Sequence, residues 1–200
     1  MPPLGTGVGQ SVERPCELKL VHGEPWFGLP SQTPGQGALG EHGQMLAFEP
    51  PCFASGGTLG GAIASGLSGP RRAYSGAARD FVLGIRMLDG KGTDLSFGGR
   101  VMKNVAGYDV ARLMAGALGT LGLLTEISLK VLPRPPAEVT LRQERRPDEA
   151  IELMNTWAGK PYPITATCHV ESQLYVRLAG AEPTVRAACE KLGGEIVDAG

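Results

Sequence analysis

Glycine is concentrated in the middle of this chain. Sixteen of its 30 glycines lie in residues 51–132, whereas nine precede that segment and five follow it. Glycine is favoured where the backbone needs a positive φ or where a ligand approaches the chain closely. No Gly-X-Y repeat accompanies the glycines and 42% of the residues are hydrophobic, which excludes collagen and argues against wholesale disorder. The length of 200 residues predicts one compact domain and part of another.

The glycine-rich middle is also the only basic part of the sequence. It carries nine Lys and Arg against five Asp and Glu, whereas the flanking segments have net charges of −3 and −2. An excess of this size favours a phosphate-bearing cofactor and is too weak for a nucleic-acid footprint, so no nucleic-acid partner is expected. A chance asymmetry on a solvated surface is the alternative interpretation.

The four cysteines are Cys16, Cys52, Cys168 and Cys189, and no two have the spacing of a zinc site or a disulfide framework. We therefore expect reduced thiols, no metal and a cytoplasmic protein. The uncharged run of residues 50–70 is rich in Gly and hydroxyl side chains, which makes it too polar to insert into a bilayer. The sequence does not start with the pattern of a signal peptide.

The first two thirds of the chain predict short strands and helices. Residues 1–40 are interpreted as an irregular, atypical segment with one possible strand at 16–21, and residues 44–49 as a strand. A strong hairpin signal, Asp89-Gly90-Lys91-Gly92, separates strands at 81–88 and 93–97. Asp109 is placed to cap a helix over 110–115. In residues 123–132, Leu123, Thr125, Ile127, Leu129 and Val131 alternate with polar residues, which predicts a half-buried strand.

A proline-rich run at residues 133–136 predicts a stiff linker and a domain boundary. Beyond it the pattern predicts strand 138–142, helix 147–157, strands 164–170 and 173–179, helix 182–192 and strand 195–197. This β-α-β-β-α-β order is the ferredoxin-like signature. Taken with the preceding segment, it predicts an α+β fold.

The run SGGTLGGAIASGLSG at residues 55–69 could hold a phosphate group. Glycines expose backbone N–H groups without a Cβ in the way, and the start of a helix adds further donors. The alternative is a tight helix start packed on a sheet. Dinucleotide and P-loop motifs fit poorly, because Gly5-x-Gly7-x-x-Gln10 lacks its third glycine and the spacing from Gly84 to the Gly90-Lys91-Gly92 turn is wrong.

Several ordered motifs together resemble the second half of the PCMH-type FAD-binding domain of the vanillyl-alcohol oxidase family. They are SGGTLGGAIA (55–64), GPRR (69–72), GAARDFVLG (76–84), KNVAGYD (103–109) and GTLGLLTE (119–126). Within the family, the runs GLSGPRRAYSGAARDFVLG and FGGRVMKNVAGYDVARL are most similar to the FAD-binding subunits of bacterial glycolate oxidases. The resemblance implies a second FAD lobe over residues 41–132, without the family's first lobe in residues 1–40, followed by a partial ferredoxin-like cap over 137–200 that is truncated at its end.

The resemblance also implies which residues contact FAD. Thr58, Leu59, Gly60 and Gly61 match the loop that meets the pyrophosphate, and Ala64 to Ser68 match the turn beyond it. Gly76 and Asp80 match the stretch that enters a strand beneath the flavin. The segment that passes the adenine and isoalloxazine edges is matched by Gly119, Gly122, Leu123 and Thr125. Asp80 capping a turn, and Gly119 and Gly122 permitting a close connection, are the alternative interpretations.

As a function, the resemblance implies an FAD-dependent subunit that oxidises the CH–OH group of glycolate to glyoxylate. Its implied partners are a flavoprotein catalytic subunit, an iron–sulfur subunit and a small 2-hydroxy acid, with any attachment to the inner membrane made through those partners. The alternatives are a non-catalytic assembly subunit of the same complex and a related FAD-dependent 2-hydroxy-acid oxidase. No catalytic residue is assigned, because His22 and His42 lie in weakly patterned sequence and His169 in a predicted strand, where a structural role is favoured.

Overall fold

The structure, a computed structural model, describes residues 11–14, 17–21, 36–51, 58–99 and 107–197. The chain divides into two compact units. The first comprises Met1–Gly69 and Gly76–Pro133, and the second comprises Pro70–Ser75 and Arg134–Gly200. A short piece from the middle of the sequence thus belongs to the second unit.

The first unit is built on an antiparallel sheet. Among the described residues its strands are β1 (Ser11–Arg14), β2 (Glu17–Val21), β3 (Gln44–Leu46), β4 (Val82–Leu88), β5 (Asp94–Gly98) and β6 (Leu123–Pro133). The order is β1-β2-β6-β4-β5, with β3 pairing the end of β6. In the described part of the chain, the helices before residue 133 are α1 (Gln36–Glu41), α2 (Leu59–Ser65), α3 (Arg72–Ser75), which belongs to the second unit, and α4 (Val110–Leu113). A 3₁₀ turn covers Ala78–Phe81.

Two strands lie in the segment 1–40 that was interpreted as irregular. β2 (Glu17–Val21) confirms the possible strand at 16–21, whereas β1 was not predicted. β2 pairs with β6, bringing Leu18 opposite Leu129, and β1 pairs with β2. The pairing with β6 joins segments far apart in the sequence, which a local pattern does not contain. Residues 1–10 and 22–35, which include His22, lie outside the described residues, as do Cys16, Cys52 and residues 100–106.

The predicted hairpin and helix cap are confirmed. Asp89 accepts hydrogen bonds at Oδ1 from the backbone N–H groups of Lys91 and Thr93, both at 2.8 Å. Asp109 Oδ1 accepts from Arg112 N at 3.1 Å at the start of α4. That helix ends at Leu113 rather than at 115.

The core of the first unit lies between the sheet and its helices. It contains Phe48, Ile63, Phe81, Ile127 and Leu129, among others. Phe48 and Phe81 stack with ring centroids 6.2 Å apart. Ile63 brings the buried face of α2 into this core, so the helix is positioned by apolar packing.

The second unit has the predicted β-α-β-β-α-β order. Its elements after α3 are β7 (Ala137–Glu144), α5 (Pro147–Ala158), β8 (Ile164–Val170), β9 (Gln173–Gly180), α6 (Glu182–Leu192) and β10 (Glu195–Val197). The sheet is antiparallel in the order β10-β7-β9-β8. Its own core includes Leu141, Trp157, Leu174 and Val176, and Tyr74 of α3 packs against it.

Candidate functional site

The segment predicted to meet a pyrophosphate forms the start of α2. Thr58 is its N-cap, and Thr58 Oγ1 accepts a hydrogen bond from Gly61 N at 3.0 Å. Leu59 is buried in the core while Thr58 and Gly61 are exposed. The first-turn amides therefore lie at the surface, where a helix has no carbonyl of its own to satisfy them.

The far end of α2 is joined to the loop before β6. Gly116 N donates to Ile63 O at 3.0 Å, and Leu118 N donates to Ala64 O at 2.8 Å. A Cβ on Gly66, which ends α2 with a φ of 68°, would lie 3.1 Å from Gly116 Cα. These contacts bring together two predicted FAD segments that lie far apart in the sequence, the one around Ala64 and the one that begins at Gly119.

A β-bulge changes the register at the start of β6. Arg86 pairs with Glu126 and Met87 pairs with Leu124, so Thr125 is the extra residue. Leu124 is consequently buried and Leu123 is 54% exposed, which corrects the prediction that Leu123 continues the buried face. Bulges are common beside functional sites because they redirect a side chain.

Thr125 carries the best sign of a ligand in this region. Its hydroxyl oxygen is buried and has no hydrogen-bond partner among the described residues. An unsatisfied buried hydroxyl is costly, so such a group is explained when a ligand supplies the partner. A polar group of FAD fits this requirement.

The glycines predicted to contact FAD differ in whether packing within the chain requires a glycine at their position. A Cβ on Gly60 would meet nothing closer than 3.9 Å, so packing within the chain does not explain that glycine. Gly119, with a φ of 75°, also has open space around it. Gly122 is required by packing, since its Cβ would lie 2.5 Å from Leu88 O. Gly60 and Gly119 thus leave room for a ligand, and Gly122 serves the strand connection.

A separate set of contacts within the chain involves Ser68, Gly76 and Asp80. Ser68 Oγ donates to Gly66 O at 3.1 Å and accepts from Ala78 N at 2.9 Å. Asp80 Oδ2 accepts from Ala77 N at 2.9 Å, and a Cβ on Gly76 would lie 3.2 Å from that same oxygen. Each of the three therefore has a role within the chain, and a cofactor contact at these residues stays a prediction.

The sequence reading missed an exposed apolar set in the same region. Leu118 has a φ of 53° and is 73% exposed, and Leu121 is also exposed beside Leu123. Binding sites commonly combine apolar surface with a few polar groups. The positive φ of Leu118 had no sequence signal, because leucine rarely adopts that conformation.

The remaining residues considered for a catalytic role are two histidines and a cysteine, and none of them lies in an environment that would activate it. His169 Nε2 lies 2.9 Å from Arg145 O, which fits the structural role that the sequence favoured. His42 is exposed in a turn. Burial raises the pKa of the Cys189 thiol, which lowers its reactivity.

Within the described ranges, no cluster of His, Cys, Asp and Glu could hold a metal ion, and no helix is long and apolar enough to cross a membrane.

Comparisons with known proteins agree with the resemblance. A family model described as "FAD binding domain" matches residues 36–98. The chain is 48% identical over 196 residues to glycolate oxidase subunit GlcE of Escherichia coli (strain K12), covering 94% of this chain and 56% of that protein. It is 40% identical over 84 residues to glycolate oxidase subunit GlcD of Bacillus subtilis (strain 168), covering 42% of this chain and 18% of that protein.

The fold has a counterpart among solved structures. Alkyldihydroxyacetonephosphate synthase superposes with a TM-score of 0.69 at 17% identity, over 92% of this chain and 38% of that one. This likeness confirms the predicted α+β fold. It also fits the two antiparallel sheets described above.

The chain spans little more than half the length of GlcE, at 56%. The expected cofactor, FAD, is confirmed as the ligand of the family that matches residues 36–98. This chain is accordingly similar to glycolate oxidase subunit GlcE over most of its length, and its residues 36–98 match the model of an FAD binding domain.

Proposed function

We propose that this chain is the FAD-binding part of a subunit of an enzyme that oxidises a small 2-hydroxy acid, with glycolate as the first candidate substrate. The observation that carries the proposal is the buried hydroxyl of Thr125, which has no hydrogen-bond partner among the described residues and lies at a bulge next to the α2 segment. The 48% identity with a glycolate oxidase subunit supports the choice of glycolate.

In this proposal the start of α2 meets the cofactor through its backbone. The exposed positions of Thr58 and Gly61 and the space at Gly60 allow close approach of a phosphate group. Leu59 contributes by fixing the helix start in the core rather than by touching the ligand. A phosphate is favoured here because backbone N–H groups can donate to its oxygens.

The second contact segment is the loop and strand from Gly119 to Thr125. Ala64 holds this loop beside α2 through its bond from Leu118 N. Gly122 lets β6 begin close to Leu88, and Leu123 and Thr125 then present an apolar and a polar group. When bound, FAD would accept the hydride equivalent removed from the CH–OH group, while the protein provides orientation and local polarity.

The partners of this function are part of the proposal. The similarity to both GlcE and GlcD suggests that this chain works beside a second, related flavoprotein subunit. An iron–sulfur subunit would receive the electrons. Among the described residues the two histidines stand in structural or exposed positions, so we place substrate activation on the companion subunit.

Flavin binding is the direct test. The purified full chain, alone and with its companion subunits, would be titrated with FAD and followed by flavin fluorescence and absorbance. We expect stoichiometric uptake, and turnover of glycolate in the assembled complex, with lactate as the comparison substrate. A chain that joins the complex but takes up no FAD in either state would instead identify an assembly subunit.

A further inference from the structure

Leu118 lies in a turn conformation that leucine rarely adopts. Thr120 N donates to Ala117 O at 3.0 Å and closes a turn whose two central residues, Leu118 and Gly119, have φ values of 53° and 75°. Two positive φ values are typical of a type I′ turn, for which Asn-Gly and Gly-Gly are preferred. Gly119 satisfies this preference. Leu118 is strained, because the left-handed conformation brings the Cβ of an L residue close to a carbonyl oxygen.

The backbone of this turn is fixed within the first unit. Leu118 N donates to Ala64 O at 2.8 Å, and Ala117 N donates to Met114 O at 3.2 Å. Met114 is buried in the core of the first unit. These bonds use only main-chain atoms, so asparagine or glycine at position 118 could form them as well. The turn therefore explains the conformation of residue 118 and does not explain why that residue is a leucine.

Packing within the described part of the chain does not explain the leucine either. The side chain of Leu118 is 73% exposed, and those of Leu121 and Leu123 are 47% and 54% exposed. Residues 113–125 contain no charged side chain. A strained residue persists where the surroundings or a ligand make use of it, and such residues cluster at ligand-binding sites. An exposed leucine in a strained turn thus indicates a contact with a molecule outside the chain.

Two observations identify that molecule as the cofactor. Leu118 is bonded to α2, which lies within the residues that match the FAD binding domain model. The same uncharged segment ends at Thr125, whose buried hydroxyl has no hydrogen-bond partner among the described residues. FAD contains two planar heteroaromatic rings, adenine and isoalloxazine. Each has an apolar face that suits a leucine side chain and polar edge atoms that suit a hydroxyl.

We propose that Leu118 is a specificity-determining residue of the cofactor site and that its side chain packs on the face of one planar ring of FAD. This inference rests on the proposed function. The strained φ of Leu118 destabilises the chain without cofactor, and the apolar contact offsets that strain when FAD binds. Stability without FAD and affinity for FAD are therefore in conflict at this residue.

Leu118→Asn in the full chain tests this conflict. Asparagine suits the turn and removes the apolar contact, so the denaturant midpoint without FAD should rise. FAD binding, followed by flavin fluorescence, should weaken by about tenfold, as expected for the loss of part of one leucine contact. Leu118→Met keeps an apolar side chain at the same φ and should bind FAD as the wild type does.

Glu171→Asn is the matched control. Glu171 has a φ of 49° in the turn between β8 and β9 of the second unit, so the same change should raise the midpoint there and leave FAD affinity unchanged. Competition of FAD with ADP and with FMN identifies the ring. If only ADP binding weakens in Leu118→Asn, the contact is with adenine, and if only FMN binding weakens, it is with isoalloxazine.

Three results would overturn the inference and leave the proposed function standing. They are unchanged FAD affinity in Leu118→Asn, a lower midpoint of that variant without FAD, and equal weakening of ADP and FMN binding. Loss of a companion subunit from a Leu118→Asn chain that binds FAD normally would instead identify the exposed leucines as a protein interface. A wild-type chain that takes up no FAD, alone or with its companions, would overturn the proposed function and this inference with it.

Discussion

A single buried hydroxyl distinguishes the start of β6 from the rest of the strand. The resemblance implies that Thr125 contacts the cofactor, and its oxygen lies at a bulge without a hydrogen-bond partner in the described part of the chain, which gives that expectation a physical basis. The bulge itself had no signal in the sequence, because an alternating pattern continues through Leu123 and Thr125. The face of the sheet on which each side chain of this strand lies therefore depends on the pairing of the strand with β4, and not only on the alternation of apolar and polar residues in its sequence.

Thr125→Val tests this hydroxyl. Without FAD, the free energy of unfolding should rise by about 1 kcal/mol, because valine keeps the shape and removes an unsatisfied polar group. FAD affinity should fall by about tenfold, the worth of one hydrogen bond at the upper end of its usual range. Denaturant unfolding and flavin fluorescence measure the two effects.

Thr156→Val is its control. Thr156 is exposed on α5 in the second unit, outside the proposed cofactor segments, so its replacement should leave FAD affinity unchanged. A Thr125 variant that is less stable without FAD and binds FAD normally would show that the hydroxyl does not face the cofactor.

Gly69 is required both by its backbone conformation and by its packing. Alanine there would combine a positive φ with a collision against the Glu49 carbonyl, so we expect a loss of about 3 kcal/mol or more in stability. Gly43→Ala is the matched change, because Gly43 has a φ of 63° with open space around it. That variant should cost only about 1 kcal/mol, and equal losses in thermal unfolding would contradict the steric explanation.

At the scale of elements, the second unit was the most predictable part of the chain. Its six elements agree with the predicted ones to within two residues at most ends. These segments are long, strongly patterned and separated by turn residues, as at Pro147, where α5 begins. The short elements of the first unit were harder: β1 was not predicted, and β2, predicted only as a possible strand, pairs with a strand about a hundred residues away.

The β4–β5 hairpin should show a defined pH dependence. Backbone hydrogen bonds from Thr93 and Lys91 lower the pKa of Asp89. A carboxyl whose folded pKa is depressed stabilises the fold above its unfolded pKa, about 3.9, and loses that contribution as the pH falls through the folded value. Asp89→Ala should therefore be less stable than wild type at pH 7, with the difference shrinking below about pH 4.

Thermal unfolding of both proteins between neutral and acidic pH measures this difference. Lys91→Ala keeps the backbone donor and serves as the control, so its stability relative to wild type should not change over the same range. A constant difference between Asp89→Ala and wild type would mean that the charge of Asp89 does not contribute.

The turn between β8 and β9 contains two residues whose replacement should stabilise the protein. Glu171 and Ser172 have φ values of 49° and 63°, the conformation for which Asn-Gly is preferred in two-residue hairpins. The double change Glu171→Asn and Ser172→Gly should stabilise the protein by about 1 kcal/mol. The bond from Arg145 N to Ser172 O, 2.9 Å, uses only backbone atoms and should persist. A lower melting temperature would show that the original side chains contribute to the fold.

At the scale of the whole molecule, the sequence predicted two parts with a boundary at residues 133–136, and the structure divides between Pro133 and Arg134. The sequence did not indicate that Pro70–Ser75 joins the second part. Its residues lie inside a run that resembles an FAD-binding lobe, and nothing local in GPRRAYS shows that Tyr74 packs in a different core. Long-range assignments of this kind depend on packing that only the folded chain contains.

A fragment of residues 134–200 tests this assignment. We expect it to be less stable than a version in which residues 70–75 are attached by a flexible linker, because the fragment loses Tyr74 from its core and leaves Glu138 without Arg71. Circular dichroism with denaturant would compare the two. Identical unfolding midpoints would indicate that residues 70–75 add no stability to the second unit.

The discontinuity of the second unit also limits how such a protein can be recombined. A single crossover at the proline-rich junction would transfer Arg134–Gly200 and leave Pro70–Ser75 behind, so the transferred unit would lack the segment that supplies Tyr74 to its core. Exchange of the second unit between similar proteins should therefore succeed only when both stretches are exchanged together. A chimera planned from the linear sequence alone would separate two stretches that fold as one unit.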